Sequence, residues 1–123
     1  MPFIDIKITM SISSDQREAI KLQLGQAISL LSGKTEDYLM IGIQDDYHLY
    51  LSGYEMERGA AVTVQHYGDA KTEDLEKLGK EILNTLEAVT AIPSDSVYII
   101  FQPGVETWTL FGDTYHTDIY QKK

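Results

Sequence analysis

From Phe3 to Thr9 the chain alternates, with Ile4, Ile6 and Ile8 on one side and Phe3, Asp5, Lys7 and Thr9 on the other. A period of two predicts a strand with one buried face. The period then changes. Ile20, Leu24, Ala27, Ile28 and Leu31 recur at helical spacing and form one apolar stripe. Ser14 is the expected N-cap, Asp15 and Glu18 suit a helix start, and Gly33 is the expected stop. Leu39, Ile41 and Ile43 then resume the alternation and predict a second strand. The series repeats further on. Ala60 to Gln65 alternates, with Val62 and Val64 inward; Thr72 caps a stripe of Leu78, Ile82, Leu86 and Val89, with Glu73 and Asp74 in its first turn and Pro93 beyond its end; Val97, Ile99 and Phe101 close the series.

Sliding the chain against itself by 58 positions superimposes these patterns, so that Asp37–Gln44 falls on Asp95–Gln102. The sequence therefore reads as an internal repeat, with halves of about 2–53 and 60–112 inside one domain spanning 1–123. Each half is a strand–helix–strand unit, which makes a parallel pair with a right-handed crossover. The expected fold is α+β, a four-stranded mixed sheet with both helices on one face. Short extra strands are expected near Leu49–Leu51 and Trp108–Leu110.

The face away from the helices carries Phe3, Asp5, Lys7, Tyr38, Met40, Gly42, Ala61, Thr63, Gln65, Tyr98, Ile100 and Gln102. It is too apolar for open water and too polar for a dry core. Parallel strands normally have both faces covered. Coverage by other copies of the chain is expected, with this face lining a semi-polar interior and the short strands pairing across subunit boundaries.

Composition narrows the chemistry. There is no cysteine, which removes disulfides, thiolate metal sites and cysteine nucleophiles. The formal charge of −9 would repel a phosphate backbone, so no nucleic-acid partner is expected. No apolar run approaches a membrane span, and no basic segment precedes an apolar stretch at the start. The cytoplasm is the expected location, with secretion by a route lacking a signal peptide left open. His48, His66 and His116 have no metal-binding spacing and read as structural or surface residues. The chain has no GxSxG elbow, Walker loop or GxGxxG turn. Asp45-Asp46 and Glu55 to Arg58 read as solvated loop charges; Tyr47, Tyr50 and Tyr54 suit a ligand site or edge-strand packing equally well.

Two residues break the repeat. Ala60 corresponds to Pro2 and Ile92 to Lys34, so the reactive side of each pair exists in one half only. Pro2 follows Met1, and removal of Met1 would leave a secondary amine at the head of a rigid strand. Burial or a nearby cation favours the neutral amine, which makes it a usable base near neutral pH. Lys34 follows the first helix on the same sheet edge as Pro2; a helix C-terminal cation is its ordinary reading.

With these residues in place, the chain resembles the tautomerase superfamily, and within it proteins like macrophage migration inhibitory factor. The likeness rests on Met1-Pro2-Phe3-Ile4, on Ser32-Gly33-Lys34 followed by Tyr38, and on Pro93-Ser94-Asp95-Ser96-Val97-Tyr98-Ile99; the tail after Phe101 aligns poorly. The resemblance implies a homotrimer around a central channel, with sites at the subunit interfaces. It implies an isomerase that needs no cofactor and no metal, interconverting keto and enol forms of an α-keto acid such as an aryl pyruvate. Pro2 would be the general base and Lys34 the cation for the carboxylate. Tyr67 would stand where the family offers a backbone N–H, and Tyr38 and Tyr98 would line the pocket. The Cys-x-x-Cys stretch of the best-known member is replaced by Gly59-Ala60-Ala61-Val62, which excludes its redox activity. Relatives acting on unsaturated dicarboxylates carry arginines where this chain has Ile12 and Met40, and the asparagine after the second-half tyrosine is Ile100 here. Two other readings stand beside the isomerase: a cytokine-like or binding protein on the same scaffold, and hydration or decarboxylation of a three-carbon acid. The latter needs further cationic or acidic partners, for which only Arg17 and Arg58 are at hand.

Overall fold

In the computed structural model, which describes residues 2–31, 34–104, 110–111 and 114–115, the two alternating segments become the centre of one sheet. The elements run β1 (Phe3–Ile8), α1 (Ser14–Ala27), β2 (Met40–Gln44), β3 (Tyr50–Leu51), β4 (Tyr54–Glu55), β5 (Ala60–Tyr67), α2 (Thr72–Thr90), β6 (Val97–Gly104), β7 (Leu110–Phe111) and β8 (Thr114–Tyr115). The main sheet has the order β2-β1-β5-β6. β1 pairs parallel with β2, and β5 with β6; β1 and β5 run antiparallel, from Phe3 opposite Gln65 to Ile8 opposite Ala60. The sheet is thus mixed, and the fold is α+β as the repeat predicts.

Burial follows the strand order. The inward side chains of the two central strands, Ile4, Ile6, Ile8, Val62 and Val64, are almost wholly removed from water. They pack with Ile20, Leu24 and Ile28 from the first helical segment and Leu78, Ile82 and Leu86 from α2. Both helices therefore lie on the same face. Each large aliphatic side chain buried there contributes roughly 1.5–3 kcal/mol. Ile41, Ile43, Val97, Ile99 and Phe101 are only partly buried, because β2 and β6 are the edges of the sheet. The other face is open: Met40, Tyr98 and Ile100 are each more than half exposed. Polar pairs interrupt it, with Lys7 Nζ donating to Asp5 at 2.8 Å and Gln65 to Gln102 at 3.2 Å.

The helix ends differ from expectation. The N-cap of α1 is Ser13, whose hydroxyl accepts from Gln16 N–H while Gln16 returns a bond to the Ser13 N–H; this capping box starts the helix at Ser14. The N-cap of α2 is Lys71, without a side-chain bond, and Thr72 is already helical. α1 ends at Ala27 and tightens into a 3-10 turn over Ile28–Leu30, which keeps Ile28 buried. Gly33 and Ser32 lie outside the described residues, as do Trp108 and His116. α2 ends on Ala91 in the left-handed region (φ 59°), two residues before Pro93.

Several loop charges expected to be solvated hold the fold instead. Asp45 accepts from the Ile12 N–H at 3.1 Å and pairs with Arg17 at 3.4 Å. Asp46 accepts from the Ser11 hydroxyl, so the loops after β1 and β2 are tied together. Arg58 donates to the Thr90 carbonyl at 3.1 Å and satisfies a C-terminal carbonyl of α2. The segment near Leu49–Leu51 does form a strand: β3 pairs with β4 through Ser52 and Gly53, both at positive φ, as a two-residue hairpin of the favoured hand requires. Tyr50 and Tyr54 on this hairpin are exposed. Among the described residues no helix is long and apolar enough to cross a membrane.

Candidate active site

The head of β1 is the one place where the unrepeated residues meet. Pro2 is buried, and its carbonyl accepts the Met40 N–H at 3.1 Å, which extends the β1–β2 ladder by one step. On the other side, the register of β1 and β5 ends with Phe3 opposite Gln65. One residue further, Pro2 faces His66. Both sit on the helix side, as do Ile4 and Val64, the pair below them. Cross-strand neighbours of this kind have Cβ atoms about 5 Å apart.

Lys34 comes to the same place from the turn ahead of β2. Its ammonium donates to the Tyr67 carbonyl at 2.8 Å and stands 5.6 Å from the centre of the Tyr67 ring. The cation is thereby fixed on the last residue of β5, one position beyond the residue facing Pro2. Tyr67 is buried, and Gly68 turns the chain away at φ 71°. Tyr38 ends a 3-10 turn, Glu36–Tyr38, two residues before Met40. Pro2, Lys34, Tyr67 and Tyr38 therefore gather at one edge of the sheet, and the shared edge expected for Pro2 and Lys34 is observed.

Tyr98 does not join them within one chain. It pairs with Ala61, which pairs in turn with Lys7. That is five residues along β1 from Pro2, roughly 16 Å, and two strands across, about 10 Å. Tyr98 is 65% exposed on the open face at the far corner of the sheet.

One residue of this cluster escapes a reading of the sequence alone. His66 is 96% buried by area, since only 4% remains exposed. Burial pushes its imidazole below the ordinary value of 6.5, and the charge of Lys34 pushes the same way; the Gly68 backbone and Asp69 pull weakly against them. Its Nδ1 is enclosed and has no hydrogen-bond partner. The signal lay in the pairing of the two central strands, which sets His66 beside Pro2. The other described histidine, His48, is exposed and bonded to Glu55 at 3.0 Å. Among the described residues no group of three or more histidines and carboxylates is placed to hold a metal ion.

Comparison with known proteins agrees with this architecture. No family model matches the sequence, and no curated protein is similar to it. Solved structures are. MIF2 of Leishmania major superposes with a TM-score of 0.83 at 19% identity, covering 94% of this chain and 97% of its own. A structure described as native fused 4-OT also reaches 0.83, at 10% identity and 96% and 98% coverage. Pt0534 inactivated by 2-oxo-3-pentynoate gives 0.83 at 13% identity, with 95% and 98% coverage. The chain has the tautomerase-superfamily fold. More narrowly, it shares that fold with homologues of macrophage migration inhibitory factor, such as those of Leishmania major and Prochlorococcus marinus.

Proposed function

We propose that the protein is a keto–enol tautomerase of α-keto acids such as aryl pyruvates, with Pro2 as its general base after removal of Met1. The observation that carries this reading is the Lys34 ammonium held on the Tyr67 carbonyl beside the buried head of β1. An amine at a buried, cation-flanked position gives up its proton more readily than one in water. The inactivation of a fold neighbour by a 2-oxo acid lends support to the substrate class.

The carboxylate of the keto acid binds the ammonium of Lys34. The neutral nitrogen of Pro2 removes a proton from the carbon next to the carbonyl. The C–H electrons form the new carbon–carbon double bond, and the carbonyl electron pair moves to oxygen. That oxygen needs a hydrogen-bond donor as its charge grows, a role that suits the backbone N–H of Tyr67. Pro2 then delivers its proton to the oxygen, and the enol leaves with no other reactant consumed.

The site is composite. Tyr98 reaches the Pro2 cleft only from another copy, so the protein works as a homotrimer with the open sheet faces turned inward. The mass of the mature N-terminus and the conversion of an enol aryl pyruvate to its keto form, for wild type and Pro2→Ala, test this reading. A loss of about 100-fold or more in kcat/KM is expected. Equal rates would remove Pro2 from the mechanism, and no conversion by the wild type would leave the binding-protein reading. A monomer in sedimentation would overturn the composite site.

A further inference from the structure

The nitrogen that the proposed mechanism uses starts as the amide of the Met1–Pro2 bond. Hydrolysis of that bond consumes one water: the C–N bond breaks, methionine leaves with a new carboxylate, and Pro2 keeps a secondary amine. The catalyst is an aminopeptidase, which must reach both sides of the bond. Burial and hydrogen bonding of the backbone there decide how easily it does so. In the folded chain that backbone is engaged. Pro2 is buried, and its carbonyl holds the Met40 N–H at 3.1 Å. Phe3 is paired with Met40 on one side and with Gln65 on the other, and Ile4 is wholly buried. The ladder thus begins at Pro2 itself, directly beside the bond to be cut.

We infer that Met1 is removed before β1 enters the sheet, and that a chain which folds with Met1 in place is closed to this activation until β1 comes out again. That the removal matters for activity rests on the proposed role of Pro2 as the base. The topology provides time for it. β1 is the first strand made, but its partners are not close to it in sequence: β2 begins at Met40 and β5 ends at Tyr67. At a synthesis rate of about 5–20 residues per second, roughly 3–13 s pass before Tyr67 is added, and the head of β1 lacks its antiparallel partner until then. A hairpin at the start of the chain would close within microseconds of being made. After docking, cleavage follows only the small population in which the head of β1 is open. Ile4, Ile6 and Ile8, all fully buried, keep that population small.

Two full-length chains separate protection of this head from poor recognition of its sequence. One retains Met1 and is made while the host's methionine aminopeptidase is inhibited. The other carries Met-Pro-Phe-Gly-Ser-Gly-Ser in place of Met1, so that the same first three residues stand clear of the sheet. Both are purified folded, checked by circular dichroism, and treated with purified methionine aminopeptidase; loss of methionine is followed by intact mass. The spaced chain should be trimmed at least about 30-fold faster. A Met1 chain with Ile4→Ala, whose head is held less firmly, should be trimmed at least about threefold faster than its parent. A smaller ratio in either comparison would overturn the inference. The readout is mass and not turnover, so a protected Met1 together with an inactive Pro2-initiated chain would leave the order of events standing and refute the proposed function alone.

Discussion

Replacing Lys34 with methionine keeps the aliphatic stem and removes the charge. Three quantities should move. The bond from Nζ to the Tyr67 carbonyl, 2.8 Å, has a charged donor, and such bonds are worth about 1.5–3 kcal/mol when enclosed. Lys34 is only half-buried, so about 1 kcal/mol is expected here. For 123 residues that lowers Tm by about 4 °C, measured by calorimetry. The substrate carboxylate loses its cation, and a charge-assisted bond of 1.5–3 kcal/mol corresponds to a rise in KM of roughly 10- to 150-fold. The proton transfer at Pro2 does not pass through Lys34, so at a pH high enough for Pro2 to be neutral without the cation, kcat should change far less. Finally, the His66 imidazole, held down partly by Lys34, should titrate at higher pH in the variant, as read by NMR. A KM within threefold of wild type would refute Lys34 as the carboxylate anchor. An unmoved His66 midpoint would refute its place beside that ring.

Ala91 closes α2 at φ 59°, where a side chain is strained. Ala91→Gly should therefore stabilise the protein by about 0.5–1 kcal/mol in urea unfolding; a loss of stability would show that the left-handed cap is absent. Native His66 binds a proton less readily than the unfolded chain does, so between its lowered midpoint and the ordinary 6.5 the unfolded state takes up more protons. Stability is then full above pH 6.5 and falls as pH drops below it, and His66→Gln should flatten that slope; an unchanged slope would exclude His66 as its cause. Pro2→Ala and Tyr98→Ala chains, each nearly inactive alone, should recover roughly a quarter of wild-type activity when unfolded together at equal amounts and refolded. One interface in four then combines an intact Pro2 with an intact Tyr98. No recovery in mixed trimers would place Tyr98 outside the site.

The periods in the sequence carried the elements because the central strands are buried on one side only. Ile4, Ile6 and Ile8 alternate against polar partners, and no helix could hide them all. Helix starts were less legible. Ser13 and Ser14 are both good caps, and the choice depends on Gln16 folding back to complete the box. Asp45 and Arg58 looked like surface charges because their partners, the Ile12 N–H and the Thr90 carbonyl, are backbone groups 33 and 32 residues away. Pro2 and Lys34 stood out because the repeat omits them. His66 did not, because its importance comes from the antiparallel pairing of β1 with β5, and alternation within a strand says nothing about which neighbour it will take.

That central pairing has an arithmetic consequence. Two copies of one folding unit give each molecule two matching ledges, at Pro2 and at Ala60. A polypeptide, however, possesses a single beginning. Since the Ala60 nitrogen is locked in a peptide linkage, the recurring framework does not double the amine proposed at Pro2. In the proposed homotrimer that second ledge, free of chemistry, is the wall against which a neighbouring molecule builds its own cleft.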